Sequence, residues 1–234
     1  MAPDMIFYQL FDSESSTYTY LLGDSQTGEA VIIDPVEGQF QRDIKLIQEL
    51  GLKLKYILET HVHADHVTGA NLLREATGAK TCVSYNSGVL CADINLRDQQ
   101  DLTFGRFTLR ALETPGHTDS CMTYVCEGMA FTGDALLIRG TGRTDFQEGS
   151  SQKLYSSIRN QIFSLAPQTK VFPAHDYKGM TFSTVELEMK YNPRVGLNKT
   201  EQEFIQIMEQ LNLPPPKKLK ESLGANSKCG QREG

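Results

Sequence analysis

The chain has 234 residues, 39% of them hydrophobic, with a formal net charge of −6. That is enough apolar material for one large domain, and no basic stripe marks a nucleic-acid partner. No apolar stretch approaches the ~20 residues that span a bilayer, which argues against a membrane partner, and the N-terminus lacks a basic-then-apolar or Arg-rich leader. Cys82, Cys91, Cys121, Cys126 and Cys229 form no C-x-x-C pair and imply no disulfide framework. The sequence thus reads as that of a soluble cytoplasmic protein, with the mitochondrial matrix reserved for a processed form.

In chain order, Met5 to Phe11 reads as a strand. Tyr18 to Leu22 and Ala30 to Ile33 form a hairpin around the turn-prone Asp24 to Gly28. Phe40, Ile44, Ile47 and Leu50 recur at helical spacing, with Gly51 as the stop. Leu54 to Leu58 is a short apolar strand, and a helix runs from Thr68 to Ala76. Leu102 to Phe104, Phe107 to Leu112, Met122 to Val125 and Met129 to Phe131 are further strands. A helix over Ser150 to Leu165 and a brief strand at Val171 and Phe172 follow. Ser183 with Glu186, and Thr200 with Glu203, have the spacing of capping boxes that open two more helices. Pro214 to Pro216 end the last of these. The reading is one domain over 1–213 and an extended arm over 214–234, including the basic Lys217, Lys218 and Lys220.

All five histidines fall in three clusters: Thr60-His61-Val62-His63-Ala64-Asp65-His66, Pro115-Gly116-His117-Thr118 and Pro173-Ala174-His175-Asp176. Phe131-Thr132-Gly133-Asp134 adds a carboxylate at the end of an apolar run. Each cluster follows a predicted strand, and ligands hung from strand ends converge at one edge of a layered sheet. His61 and His63, two apart in extended chain, point the same way. Imidazoles with a carboxylate at this density indicate a metal site. A Pro-Gly turn gives His117 a rigid mount. Counted alone, His61, His63, Asp65, His66, His117, Asp134 and His175 suffice for two metals sharing Asp134, an arrangement suited to thioester hydrolysis.

These four clusters, in this order, resemble the metallo-β-lactamase fold superfamily over residues 5 to 195. The implied fold class is α/β (α+β), an αββα sandwich of two mixed sheets flanked by helices. The stretch from Phe131 to Phe146, Pro173 to Gly179, and Asn192-Pro193-Arg194 are most similar to the persulfide dioxygenases. The glyoxalase II hydrolases share the early motifs but carry a longer helical C-terminal region. The dioxygenase resemblance implies one Fe(2+) per chain held by His61, His117 and Asp134, a two-histidine, one-carboxylate face with open positions. His63, Asp65, His66 and His175 then become surrounding groups that orient ligands or waters. It implies glutathione persulfide and O2 as substrates, sulfite and glutathione as products, and a homodimer. Arg143, Tyr177 and Arg194 match positions near the family's substrate site, and Cys229 matches a cysteine near its entrance. Asp119 and Ser120 follow His117-Thr118 where relatives often have Pro-Gly, and Thr141 stands where many have cysteine; neither change touches a candidate ligand.

Overall fold

Each half of the chain builds its own six-stranded mixed sheet, and the two sheets enclose the main core between them. The computed structural model describes residues 4–196, 198–214 and 218–231. The first sheet runs in sequence order: β1 (Met5–Asp12), β2 (Thr17–Asp24), β3 (Glu29–Ile33), β4 (Lys53–Leu58), β5 (Lys80–Ser84) and β6 (Ile94–Leu96). Strands β1 to β3 are antiparallel, as the hairpin signal predicts. Strands β3 to β6 are parallel, with α1 (Phe40–Glu49) and α2 (Ala70–Thr77) as the first two crossovers.

The second sheet has the spatial order β12 (Ser183–Thr184), β11 (Lys170–Pro173), β10 (Met129–Gly133), β9 (Met122–Cys126), β8 (Phe107–Glu113) and β7 (Gln100–Phe104). Its one parallel pair, β10 with β11, is bridged by α3 (Ser151–Ser157), which continues as a π-helical turn over Ile158–Ile162. The helices α4 (Val185–Tyr191) and α5 (Glu201–Glu209) pack beside it over the outer apolar layer of this sheet. The expected αββα sandwich is therefore present.

Burial follows strand alternation. In β3, Val31 and Ile33 enter the core between the sheets, while Ala30 and Ile32 face the helix layer with Leu73 and Ile47. Both faces being covered, the strand reads as an unbroken apolar run. In β8, Phe107, Leu109 and Ala111 point inward, and Thr108 and Arg110 face solvent. An aromatic cluster pins the sheets together at one end. Phe131 stacks on Phe172 at 5.5 Å between centroids and meets Tyr20 at 4.9 Å. Four hydrogen bonds then sew the rims: Tyr20 Oη to Pro173 O (2.6 Å), Tyr124 Oη to Glu59 O (2.7 Å), and the backbone pairs Met122 N to Thr60 O and Tyr18 N to Ala174 O (2.7 Å each). Two of these accept at Glu59 and Thr60, just ahead of the first histidine cluster. The other two accept at Pro173 and Ala174, just ahead of His175.

The structure corrects several expectations. The capping box at Thr200 and Glu203 forms, but α4 is capped by Thr184, whose hydroxyl accepts from Leu187 N, because Ser183 pairs with Val171 in the sheet. Helix α5 ends at Glu209, before the prolines, of which Pro215 and Pro216 lie outside the described residues, as does Lys217. The arm beyond residue 213 is not extended throughout: Leu219–Asn226 is a helix, α6, folded back onto the first histidine cluster. Cys91 and Cys229 form a disulfide although no framework was expected, because the fold brings positions 138 residues apart to a Cα separation of 6.1 Å. Cys82, Cys121 and Cys126 are free and buried, and burial pushes each thiol up to about 12. They stay protonated and unreactive near neutrality.

Phe131→Ala is expected to destabilise the fold by about 3–5 kcal/mol, because it opens a void between the sheets. Urea denaturation measures this; the half-exposed Tyr8→Ala, as control, is expected to move stability by no more than about 0.5 kcal/mol.

Candidate metal centre

The described residues converge at the rim where the two sheets meet. His61, His63, Asp65 and His66 lie in the loop after β4, His117 in the turn after β8, Asp134 directly after β10, and His175 after β11. One donor atom each from His61, His117 and Asp134 come within 4.8 Å of one another. His117 Nε2 stands 3.6 Å from Asp134 Oδ2. That is close to the ~3–3.5 Å between neighbouring ligands that metal–ligand bonds of about 2.1 Å require. The imidazoles of His61 and His117 meet edge to face at 5.0 Å.

The far nitrogens show which ring atoms are free. His117 Nδ1 donates to the Arg143 carbonyl at 2.7 Å, leaving Nε2 with its lone pair toward Asp134. The Thr60 hydroxyl donates to Asp34 Oδ2 (2.8 Å) and so accepts from His61 Nδ1 (3.0 Å), which leaves His61 Nε2 as the free acceptor. Burial, reinforced by the neighbouring charge at His63, holds His61 well below the ordinary histidine pKa, so the ring is neutral. Asp134 Oδ1 is buried with no hydrogen-bond partner. Two inward-facing imidazole nitrogens and a carboxylate with an unpartnered buried oxygen fit a divalent cation, and such outward bonds are how ligating histidines are oriented.

The other donors are arranged differently. His63 Nε2 faces Asp34 Oδ1 at 3.1 Å and Glu59 Oε2 at 3.5 Å. Burial opposes its charge, but those two carboxylates outweigh it and raise the pKa well above the usual value. His66 Nδ1 donates to Asp65 Oδ2 at 2.9 Å; burial lowers this ring, and its Nε2 is buried without a partner. His63, Asp65 and His66 form a second close group, and Asp34, Glu59 and His63 a third. His175 lies between carboxylates, Nε2 at 3.5 Å from Asp65 Oδ2 and 3.8 Å from Asp134 Oδ1, with Nδ1 donating to the Ser16 carbonyl at 3.2 Å. Burial lowers its pKa, yet Asp134 and Asp65 win and leave it raised.

The segment around Thr141 is the floor under His117. A Cβ on Gly142 would stand 2.3 Å from Asp134 O and 2.8 Å from His117 Nδ1, so only glycine fits. Arg143 supplies a carbonyl to His117, but its guanidinium is paired with Asp145 (2.6 and 2.7 Å) and donates to the carbonyls of Leu213 and Pro214. It is thus engaged within the chain. Arg194 Nη1 donates to Thr141 O at 2.6 Å, and burial lowers its pKa; no carboxylate pairs with it among the described residues. Tyr177, 73% exposed, lies flat against the His175 ring at 6.0 Å. Cys229 is bonded to Cys91 and lines a small apolar cavity with His61, Val62 and Val89.

Sequence reasoning missed Asp34, Glu59 and Asn226, and it gave no role to Thr60 or Gly142 within the motifs that contain them. An aspartate closing an apolar strand ahead of proline was a signal for Asp34, which the structure holds at φ 50. The acidic Glu59, between strand and cluster, was another. For Asn226 there was none.

Residues 13–175 match the metallo-beta-lactamase superfamily. The mitochondrial persulfide dioxygenase ETHE1 of Bos taurus is 48% identical over 229 residues, covering 97% of this chain and 89% of that one. The crystal structure of ETHE1 from Myxococcus xanthus superposes with a TM-score of 0.94 at 49% identity, covering 97% of this chain and 100% of the other. The chain belongs to the persulfide dioxygenase family. Glyoxylase B2 of Dictyostelium discoideum stands further off, at 30% identity over 259 residues, 93% of this chain and 88% of that one. The family match accords with the segment from Phe131 to Phe146, whose Gly142 and Arg143 backbones abut the His117 ring.

Thr60→Val removes the link between His61 and Asp34. Metal affinity is expected to fall about 10- to 100-fold, with Thr60→Ser restoring most of it, measured by competition against a chelator.

Proposed function

We propose that this protein oxidises glutathione persulfide with O2 and water to glutathione and sulfite, using one Fe(II) held by His61, His117 and Asp134. The carrying observation is the division of the donors: these three present free acceptor atoms to one point, while His63 is turned to Asp34 and Glu59. Near-full-length identity to persulfide dioxygenases supports the same reading. The overall change is GSSH + O2 + H2O to GSH, sulfite and two protons. Held by His61, His117 and Asp134, ferrous iron would supply the redox chemistry that activates O2 toward the persulfide sulfur.

The chain's own residues supply position and charge. The Asp34–Thr60 pair and the Arg143 carbonyl fix the two imidazole planes. Among the described residues, Arg194 is the half-buried cation beside this floor with no carboxylate partner, which suits it to a glutathione carboxylate. Tyr177 offers an exposed hydroxyl on the His175 side. Arg143 supports the site rather than the substrate. His175, between Asp65 and Asp134, holds a proton where negative charge accumulates. A homodimer is part of this reading, checked by sedimentation.

Purified protein is expected to carry about one iron per chain and to take up O2 on addition of glutathione persulfide. The second close group, His63, Asp65 and His66, defines the competing hydrolase reading. Two metals per chain with S-lactoylglutathione cleavage and no O2 uptake would overturn the proposal. Arg194→Ala is expected to raise KM for glutathione persulfide about tenfold or more, with a smaller change in kcat, as loss of a charge-assisted contact predicts.

A further inference from the structure

The loop that carries four of the candidate donors is closed from outside by the C-terminal helix. Asn226, the last residue of α6, is buried, and its side-chain amide donates to the carbonyls of His63 and His66, each at 2.8 Å. Its side-chain oxygen accepts from Thr68 N at 2.9 Å. Both amide protons and the oxygen are thus engaged by one loop, which a single rigid side chain ties at three points. Thr68 passes the connection on, its hydroxyl donating to Glu59 Oε1, beside His63.

Helix α6 places no large, fully buried apolar side chain against the fold. It is eight residues long, includes Gly224, and its buried residues are Ser222, Ala225 and Asn226, none a large apolar side chain. A helix of this length is unstable alone. Beyond it the chain turns through Cys229 (φ 58) and Gly230 (φ 89), where a Cβ would stand 2.5 Å from Thr68 O. Three residues past Asn226, Cys229 is bonded to Cys91, in the segment between β5 and β6.

We propose that Asn226 is a positioning residue for the metal-bearing loop, latched in place by the Cys91–Cys229 disulfide, and that small thiols of the glutathione type release it. Cys91 is partly exposed and Cys229 buried, so the incoming thiolate attacks the Cys91 sulfur. That forms a mixed disulfide at Cys91 and expels the Cys229 thiolate, which takes up a proton. A second thiolate attacks the small-molecule sulfur of the mixed disulfide and departs with it as a symmetrical disulfide, freeing the Cys91 thiolate. Two electrons pass from two small thiols to the two cysteine sulfurs. If the persulfide reading holds, the thiol that opens the latch is the enzyme's own product; only this last link rests on that reading.

The test uses metal-free protein and Co(II) as the metal probe, so no readout involves O2 uptake. In wild type, Asn226→Ala, Cys229→Ser and wild type reduced with dithiothreitol, amide hydrogen exchange is followed over residues 61–68, and Co(II) affinity and visible absorption are recorded. Asn226→Ala, Cys229→Ser and reduction are each expected to speed exchange at Thr68 about tenfold or more, to weaken Co(II) binding about tenfold, and to shift its absorption bands. Asn226→Asp, which keeps only the acceptor for Thr68 N, is expected to fall between wild type and Asn226→Ala. Should Asn226→Ala fail to fold, Asn226→Asp, which loses both donated bonds to the His63 and His66 carbonyls, tests the positioning role in its place. Exchange at Thr68 and Co(II) spectra that stay at wild-type values in Asn226→Ala overturn the positioning role; values unmoved by reduction and by Cys229→Ser overturn the latch.

Discussion

A histidine binds a cation through one ring nitrogen only if the other holds the proton, and this site depends on how that proton is held. For His117 the acceptor is a backbone carbonyl, Arg143 O; for His61 it is a hydroxyl made one-directional by Asp34. The second device carries a further load. Asp34 Oδ1 also accepts from Thr60 N and faces His63, so one buried carboxylate orders the start of the loop, one imidazole plane and the neighbouring cation. Its backbone at φ 50 is the strain that this placement costs.

The same carboxylate separates the donors into two populations. His61 is neutral and turned inward, whereas His63 is drawn to Asp34 and Glu59 and carries charge. His63, Asp65 and His66 nevertheless bring suitable donor atoms together as a second close group. One loop motif can therefore serve a one-metal or a two-metal site, depending on which carboxylates sit behind it. Those carboxylates, Asp34 at the end of β3 and Glu59 at the end of β4, lie outside the motif itself.

The legible part of the sequence was whatever repeats locally. Strand alternation in β3 and β8, the helical spacing of α1, and histidine clusters after strands each need only a few adjacent residues to be read. β5 and β6 escaped because they are short and flanked by polar residues, and only pairing, of β5 with β4 and of β6 with β5, makes them strands. The Cys91–Cys229 bond and the Asn226 contacts join positions remote in the chain, so no window contains both partners. Ser183 shows the reverse failure: its capping pattern was present, but a sheet partner claimed the residue. Arg143 was legible as a site residue, while its job was not. Its carbonyl faces the site, and its charged end is tied to Asp145 and the chain near Pro214.

The division of the chain into two sheets has a consequence for biosynthesis. The first sheet ends at Leu96, before His117 and Asp134 have been made. During synthesis, His61, His63, Asp65 and His66 therefore emerge before His117, Asp134 and His175, with which the fold brings them together. Because the rim bonds from Met122 and Tyr124 also come from the later half, the loop takes its final shape only after most of the chain exists. The candidate centre is therefore complete only once both halves of the chain have been delivered.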